Sequence, residues 1–261
     1  MRDISYEVLD ILEQYGNSRE GIQKALETEE APEVLYALSP VRENLLEWYD
    51  WNPEGRALQI GADYGALTGV LLRGVKEVSV WEPKDEDWNV LCRRYPEVEN
   101  LKREETLPEA GIYDYIVIPE LRKDLFPGEG LGEMFLKLMK GLKPGGKLMA
   151  AGFNRIGLRS FAGADPEEEV WSISWKEIGE LSEILGTGSP KRYYPVPDHR
   201  LPSVIYSDGR LPQKGELTNL SVAYDRPGYR YFSEEAGFDE LCREGLFPQF
   251  ADSYLVIWEK P

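Results

Sequence analysis

The run Ala57-Leu58-Gln59-Ile60-Gly61-Ala62-Asp63-Tyr64-Gly65-Ala66-Leu67-Thr68-Gly69 constrains this chain more than any other part of it. A short apolar stretch enters a glycine turn, and an apolar helix follows. A second β-type stretch, Glu77-Val78-Ser79-Val80-Trp81, then closes on Glu82. Strand, loop, helix and strand in that order gather backbone N–H groups and one carboxylate around a ribose, the acid taking the sugar hydroxyls. The run therefore predicts an α/β fold and a nucleoside-bearing ligand together.

Charge narrows the ligand. A dinucleotide sets its pyrophosphate against the helix N-terminus and needs a second glycine for close approach. Against the spacing G-x-G-x-x-G, positions 61, 63 and 66 read Gly, Asp and Ala. The Asp63 carboxylate would repel the phosphates, so a nicotinamide-dependent oxidoreductase is the third-ranked reading. S-adenosylmethionine also brings a ribose for an acid such as Glu82, but it carries a sulfonium and an ammonium and no phosphate. An acidic loop tolerates it better. The candidate cofactor-binding residues are Gly61, Ala62, Asp63, Gly65 and Glu82. Each has a plainer role beside this one: the glycines can permit a tight turn, Asp63 can cap the helix at Ala66 or Leu67, and Glu82 can cap the turn into Pro83.

A chain of 261 residues, 42% of them hydrophobic, can bury one large core. The expected division is a helical segment over residues 1–52 packed on a core domain over 53–261. The net charge of −17 argues against a nucleic-acid partner, because phosphates must be met by clustered Lys and Arg. Acidic residues within 27–33, 85–87 and 167–169 read as solvated surface. Cys92 and Cys242 have no ligand spacing or disulfide framework, which fits a reducing cytoplasm. The first residues carry no apolar signal core and no stretch is long enough to span a bilayer, so no membrane insertion is expected. With His199 the single histidine, a histidine-rich metal site is excluded and no metal is expected; any Ser-His-Asp triad would have to use that residue.

Residues 1–52 read helical. Tyr6, Val8, Leu9, Ile11, Leu12 and Tyr15 recur at helical spacing. Ser18 is placed to cap a second helix over 19–29, and Ser39-Pro40 to open a third running to about residue 49. After Asn52-Pro53-Glu54-Gly55 the signals alternate: strand 57–60, helix 66–73, strand 77–81, helix 86–94, strand 113–118, then a helical face of Leu131, Phe135, Leu138, Met139 and Leu142, and strand 147–151. Such alternation implies a doubly wound parallel sheet. Helix 175–185 capped by Ser174, strand 191–196 and a last strand at 254–258 complete it. Before the last strand lies an insertion of about residues 201–250, with a hairpin-like stretch at 204–209 and a helix at 234–243.

The order of these parts resembles the class I S-adenosylmethionine-dependent methyltransferases: a glycine loop after the first strand, an acid ending the second, Asp114 entering the fourth, and Lys143-Pro144-Gly145-Gly146 before the fifth. The resemblance covers about residues 53–194. More narrowly, Leu38-Ser39-Pro40-Val41-Arg42-Glu43-Asn44-Leu45-Leu46-Glu47-Trp48-Tyr49, Gly157-Leu158-Arg159-Ser160-Phe161-Ala162-Gly163-Ala164 and Tyr193-Tyr194-Pro195-Val196-Pro197-Asp198-His199-Arg200 onward to Asp208 are similar to a bacterial methyltransferase group associated with glycosyltransferases. The resemblance implies a Rossmann-like methyltransferase sheet with N-terminal helices and a C-terminal insertion. It further implies S-adenosylmethionine held by Gly61, Gly65 and Glu82, and a small-molecule or glycan-type acceptor. The sequence departs from the family pattern at Gln59, where an acid usually stands, at Asp63 in place of the middle glycine, and in the shortened acidic stretch Asp165-Pro166-Glu167-Glu168-Glu169.

Methyl transfer is an in-line displacement that needs donor binding, acceptor alignment and, for a hydroxyl or amine acceptor, a proton acceptor. Glu120, at the end of the fourth strand, and His199, in a proline- and tyrosine-rich turn, are the candidate catalytic residues. For His199 the plainer alternative is a partly buried turn residue. Glu104, Glu105 and Thr106 could meet an adenine amine but read as a solvated loop, and Asp114 reads as structural. Tyr193, Tyr194, Tyr206, Trp171 and Trp175 could line an acceptor pocket or belong to the core. The first reading of function is a methyltransferase on a small-molecule or glycan-type acceptor; the second, which Gln59 and Asp63 permit, is a catalytically degenerate descendant acting as a binding or scaffold partner.

Overall fold

Strands buried on both faces must be apolar along their length, and the computed structural model, which describes residues 4–164, 168–218 and 231–261, assembles such strands into one sheet. The strands are β1 (Arg56–Ile60), β2 (Glu77–Trp81), β3 (Leu101–Glu104), β4 (Tyr113–Ile118), β5 (Leu142–Phe153), β6 (Lys191–Val196), β7 (Val204–Ser207) and β8 (Ser253–Glu259). Their order is β3-β2-β1-β4-β5-β8-β6-β7. β1 to β5 are parallel, whereas β8 runs antiparallel between β5 and β6, and β7 adds an antiparallel edge to β6. The doubly wound sheet expected from the alternation is present, extended by this mixed end.

Side chains alternate across a strand, so each contributes to two cores. Leu58, Ile60, Ile116, Ile118, Leu148, Ala150, Val256 and Trp258 face one side, where they meet α7 (Leu131–Gly141) and α9 (Trp175–Leu185). Ala57, Val78, Val80, Tyr115, Val117, Met149 and Ile257 face the other, where α4 (Asn44–Glu47), α5 (Thr68–Gly74) and α6 (Asp85–Arg94) cover them. A third cluster joins α1 (Ser5–Tyr15), α2 (Arg19–Thr28) and α3 (Pro32–Leu38) to Tyr64 and to Val90 of α6. The short α8 (Leu158–Phe161) and α11 (Phe247–Phe250), with α10 (Glu234–Arg243), complete the described helices.

The N-terminal segment differs in detail from the sequence reading. Residues 32–38 form α3, with Pro32 in its first turn. Ser39 ends α3, and its hydroxyl caps a 3-10 turn, Pro40–Glu43, that leads into α4, so the single helix expected over 39–49 is two short pieces. α5 starts at Thr68 rather than Ala66, because a 3-10 turn at Asp63–Gly65 comes first. β3, poorly marked in the sequence, pairs with β2 and ends at Glu104. Glu104 accepts hydrogen bonds from Ser79 Oγ and Tyr113 Oη, both at 2.7 Å, so it is tied into the sheet while Glu105 and Thr106 are exposed. Part of the insertion, residues 219–230, and Asp165, Pro166 and Glu167 lie outside the described residues.

Candidate functional site

The chain runs outward from β1 to β2 and β3, then returns to β4 on the opposite side of β1. Such a reversal opens a crevice at the carboxyl ends of the strands, where ligands of open α/β sheets bind. Here the crevice brings together residues 61–65 after β1, Glu82 after β2, and Glu120 and Arg122 after β4.

The loop after β1 is held by the residue that departs from the family pattern. Fully buried Gln59 donates from Nε2 to the carbonyls of Gly61 (2.8 Å) and Ala62 (3.1 Å), and its Oε1 accepts from Thr68 Oγ1 at 2.9 Å. Gly61 has φ +81° and Gly65 φ +77°, values that favour glycine. Asp63 and Tyr64 also take positive φ, at 45° and 52°. The Asp63 side chain does not cap α5; it forms an ion pair with Arg42, which is itself buried. Burial pushes the Asp63 carboxyl above its usual range, and Arg42 offsets only part of this.

Glu82 occupies the expected strand end, and both of its oxygens are engaged. Oε2 accepts from Ala62 N–H and Oε1 from Lys84 N–H, each at 2.9 Å. Arg122 Nη1 lies 3.8 Å from Oε2 and covers the carboxylate, which has no exposed side-chain surface. The same guanidinium lies 3.5 Å from Asp87 Oδ2 and pairs with Asp124 at 2.7 Å. Burial raises the Glu82 carboxyl above its usual range against the pull of the two N–H donors and Arg122. For Asp124, Arg122 and Lys84 outweigh burial and hold the carboxyl down at about 2. Asp87 in turn accepts from Ser5 Oγ at 2.6 Å, which ties α1 to this network.

Glu120 and His199, far apart in sequence, meet: His199 Nε2 lies 3.4 Å from Glu120 Oε1. Neither faces open solvent, with exposures of 0% for His199 and 5% for Glu120. Arg200 Nε and Nη2 contact the same Glu120 oxygen at 2.8 and 2.6 Å. Burial alone would raise the Glu120 carboxyl, but Arg200, His199 and Arg42 outweigh it and hold it far below the usual range. Both His199 ring nitrogens are buried without a hydrogen bond among the described residues, and the ring packs edge-on to Phe153 at 4.6 Å. Asp114 is structural, as read from the sequence: it accepts from Arg56 N–H and from Lys143 Nζ.

The space left at the crevice is about 180 Å³, lined by Asp63, Tyr64, Lys84, Asp87, Glu120 and Arg122 among others. Cofactor and drug-sized pockets run from about 300 Å³ upward and are mostly apolar. A nucleoside would have to displace Arg122 to reach Glu82, so the residues present, in this arrangement, do not fit S-adenosylmethionine. The sequence reading missed the three cations that pair with the acids of the crevice, Arg122 with Glu82, Arg42 with Asp63 and Arg200 with Glu120. Their only signal is position: Arg122 sits two residues beyond Glu120, and Arg200 beside His199. A larger cavity of about 740 Å³, lined by residues such as Ile22, Leu26, Val41, Glu43 and Tyr95, contains none of the strand-end groups.

The fold is that of the class I S-adenosylmethionine-dependent methyltransferases. A methyltransferase of this kind from Archaeoglobus fulgidus superposes with a TM-score of 0.51 at 16% identity, covering 84% of this chain and 93% of its own. Phosphoethanolamine N-methyltransferase 2 of Haemonchus contortus gives 0.53 at 14% identity, covering 97% of this chain and 60% of its own. The YcgJ protein of Bacillus subtilis gives 0.50 at 14%, covering 84% and 97%. No family model matches the chain, and no curated protein sequence does. At these identities the likeness establishes the fold alone. Among the described residues no helix is long and apolar enough to cross a membrane, and no group of His, Cys, Asp and Glu is arranged to hold a metal ion.

Proposed function

We propose that this chain is a methyltransferase-fold protein in which an internal ion-pair network has replaced donor binding, so that it works by binding a partner or ligand rather than by transferring methyl groups. The observation that carries this is Arg122 lying 3.8 Å from Glu82 while also paired with Asp87 and Asp124. The ionised Glu120 supports it too, because a carboxylate paired with Arg200 and held far below its usual range is a weak proton acceptor near neutral pH.

A second reading keeps the methyltransferase activity, with S-adenosylmethionine on Gly61, Ala62, Asp63, Gly65 and Glu82, a small-molecule or glycan-type acceptor, and Glu120 and His199 as the proton-handling pair. It is favoured by the placement of Gly61 and Glu82 at adjacent strand ends, and it requires Arg122 to swing away. Calorimetric titration with S-adenosylmethionine and S-adenosylhomocysteine, with NAD as control, separates the two. The first reading expects no saturation at micromolar donor, and a gain of binding in Arg122→Ala. Micromolar binding by the unaltered protein, about −8 kcal/mol, that disappears in Glu82→Ala would establish the second.

A further inference from the structure

Beside the crevice, and separated from it by Val170, lies a cavity of about 430 Å³ at the end of β5. The divider is a backbone pairing: Arg122 bridges Val170, Lys123 N–H donates to Glu169 O, and Trp171 N–H donates to Leu121 O. In a chain of net charge −17, the cavity is lined by Lys123, Arg155 and Arg159 and, among the described residues, by no Asp or Glu. Phe153 and Trp171 supply aromatic wall, and Ser160 and Ser172 supply hydroxyls.

The three cations are not equally committed. Arg155 is paired with Glu177. Lys123 Nζ donates to a neutral carbonyl, Glu168 O, at 2.6 Å, and has no ion pair among the described residues. Arg159 is fixed by stacking, its guanidinium 4.5 Å from the Phe153 ring centroid, whose ring also carries Arg200 at 4.8 Å. The Arg159 guanidinium makes no hydrogen bond among the described residues; its nearest acid is Asp198 Oδ2 at 3.7 Å. The guanidinium is thus held by the stack and by the Asp198 pair, and its N–H groups make no hydrogen bond among the described residues; donors of this kind recognise carboxylate or phosphate.

We infer that this cavity binds a small anionic ligand, a phosphate or carboxylate carried on a ring, with Lys123 and Arg159 taking the anion and Trp171 the ring. The inference goes beyond the proposed function, since the cavity would take an anion whether or not the neighbouring crevice opens. The test is calorimetry with phenyl phosphate, inorganic phosphate and phenol, on the unaltered protein and on Lys123→Gln and Arg159→Gln. Phenyl phosphate is expected to saturate and to bind more tightly than phosphate or phenol. Each substitution is expected to weaken it about ten-fold, the worth of one charge-assisted hydrogen bond. Lys123 is solvent-exposed, so its variant reads the site even if loss of the Arg159 stack perturbs folding. Excess S-adenosylhomocysteine is expected to leave the affinity unchanged, which keeps this result separate from that of the donor titration. Absence of saturation at millimolar phenyl phosphate, equal affinity in all three proteins, or phenol binding as well as phenyl phosphate would overturn the inference.

Discussion

Gln59 shows how one buried residue can hold a loop. Its amide supplies donors to two loop carbonyls that a carboxylate cannot supply. Gln59→Glu, although it restores the family's usual acid, is therefore expected to lower stability by about 2–3 kcal/mol, seen as a lower denaturant midpoint at unchanged slope. An unmoved midpoint would show that the amide does not hold the loop. A second residue makes a pH-dependent case. Asp252, next to β8, accepts Arg159 N–H at 2.8 Å, and loss of hydration pushes its carboxyl up to about 7 from an ordinary 3.8. Between those values the folded protein keeps a proton that the unfolded chain has released, so stability falls as pH rises, and the whole cost is present above about 7. Asn keeps the acceptor without the charge. Asp252→Asn is expected to gain about 1–3 kcal/mol at pH 8 and almost nothing at pH 4; an equal change at both pH values would contradict the linkage.

At the scale of elements, caps and periodicity were legible and pairing was not. Ser174 accepts from Glu177 N–H, and Glu177 accepts from Ser174 N–H, a capping box that fixes the start of α9 where the sequence places it. Ser174→Ala is expected to cost about 1 kcal/mol, read as a lower Tm, with Ser174→Asp retaining most of it; equal loss in both would remove the cap from the account. β2, β4, β6, α9 and α10 likewise fall where the sequence puts them, because their apolar repeats are strong and their ends are marked. β3 was obscured because Lys102, Arg103 and Glu104 carry charges that a partly exposed strand tolerates. α3 was missed because its seven residues lie between Pro32 and the Ser39-Pro40 signal that was read as a single helix start. The positions of Gly61 and Glu82 at neighbouring strand ends were readable from spacing. The cations paired with Glu82, Asp63 and Glu120 were not, since Arg122, Arg42 and Arg200 come from three separate segments and only the folded chain brings them to the acids.

At the scale of the whole molecule, the methyltransferase sheet places its crevice at the reversal between β1 and β4, and this chain fills that crevice with its own charges. The network reaches beyond the sheet: Ser5 of α1 binds Asp87, and Arg42, ahead of α4, binds Asp63, so the N-terminal segment is fastened to two acids that line the crevice. Each of these buried acids faces a cation, and although burial still outweighs the pairing at Asp63 and Glu82, removing one partner would expose the others to the full cost of burial. Arg122, not a ribose, is what we propose as the partner of Glu82. The most direct measurement is a crystal structure of the protein grown with saturating S-adenosylhomocysteine. Arg122 is expected on Glu82, Asp87 and Asp124 with no nucleoside in the crevice, and a ribose on Glu82 with Arg122 swung aside would contradict this pairing.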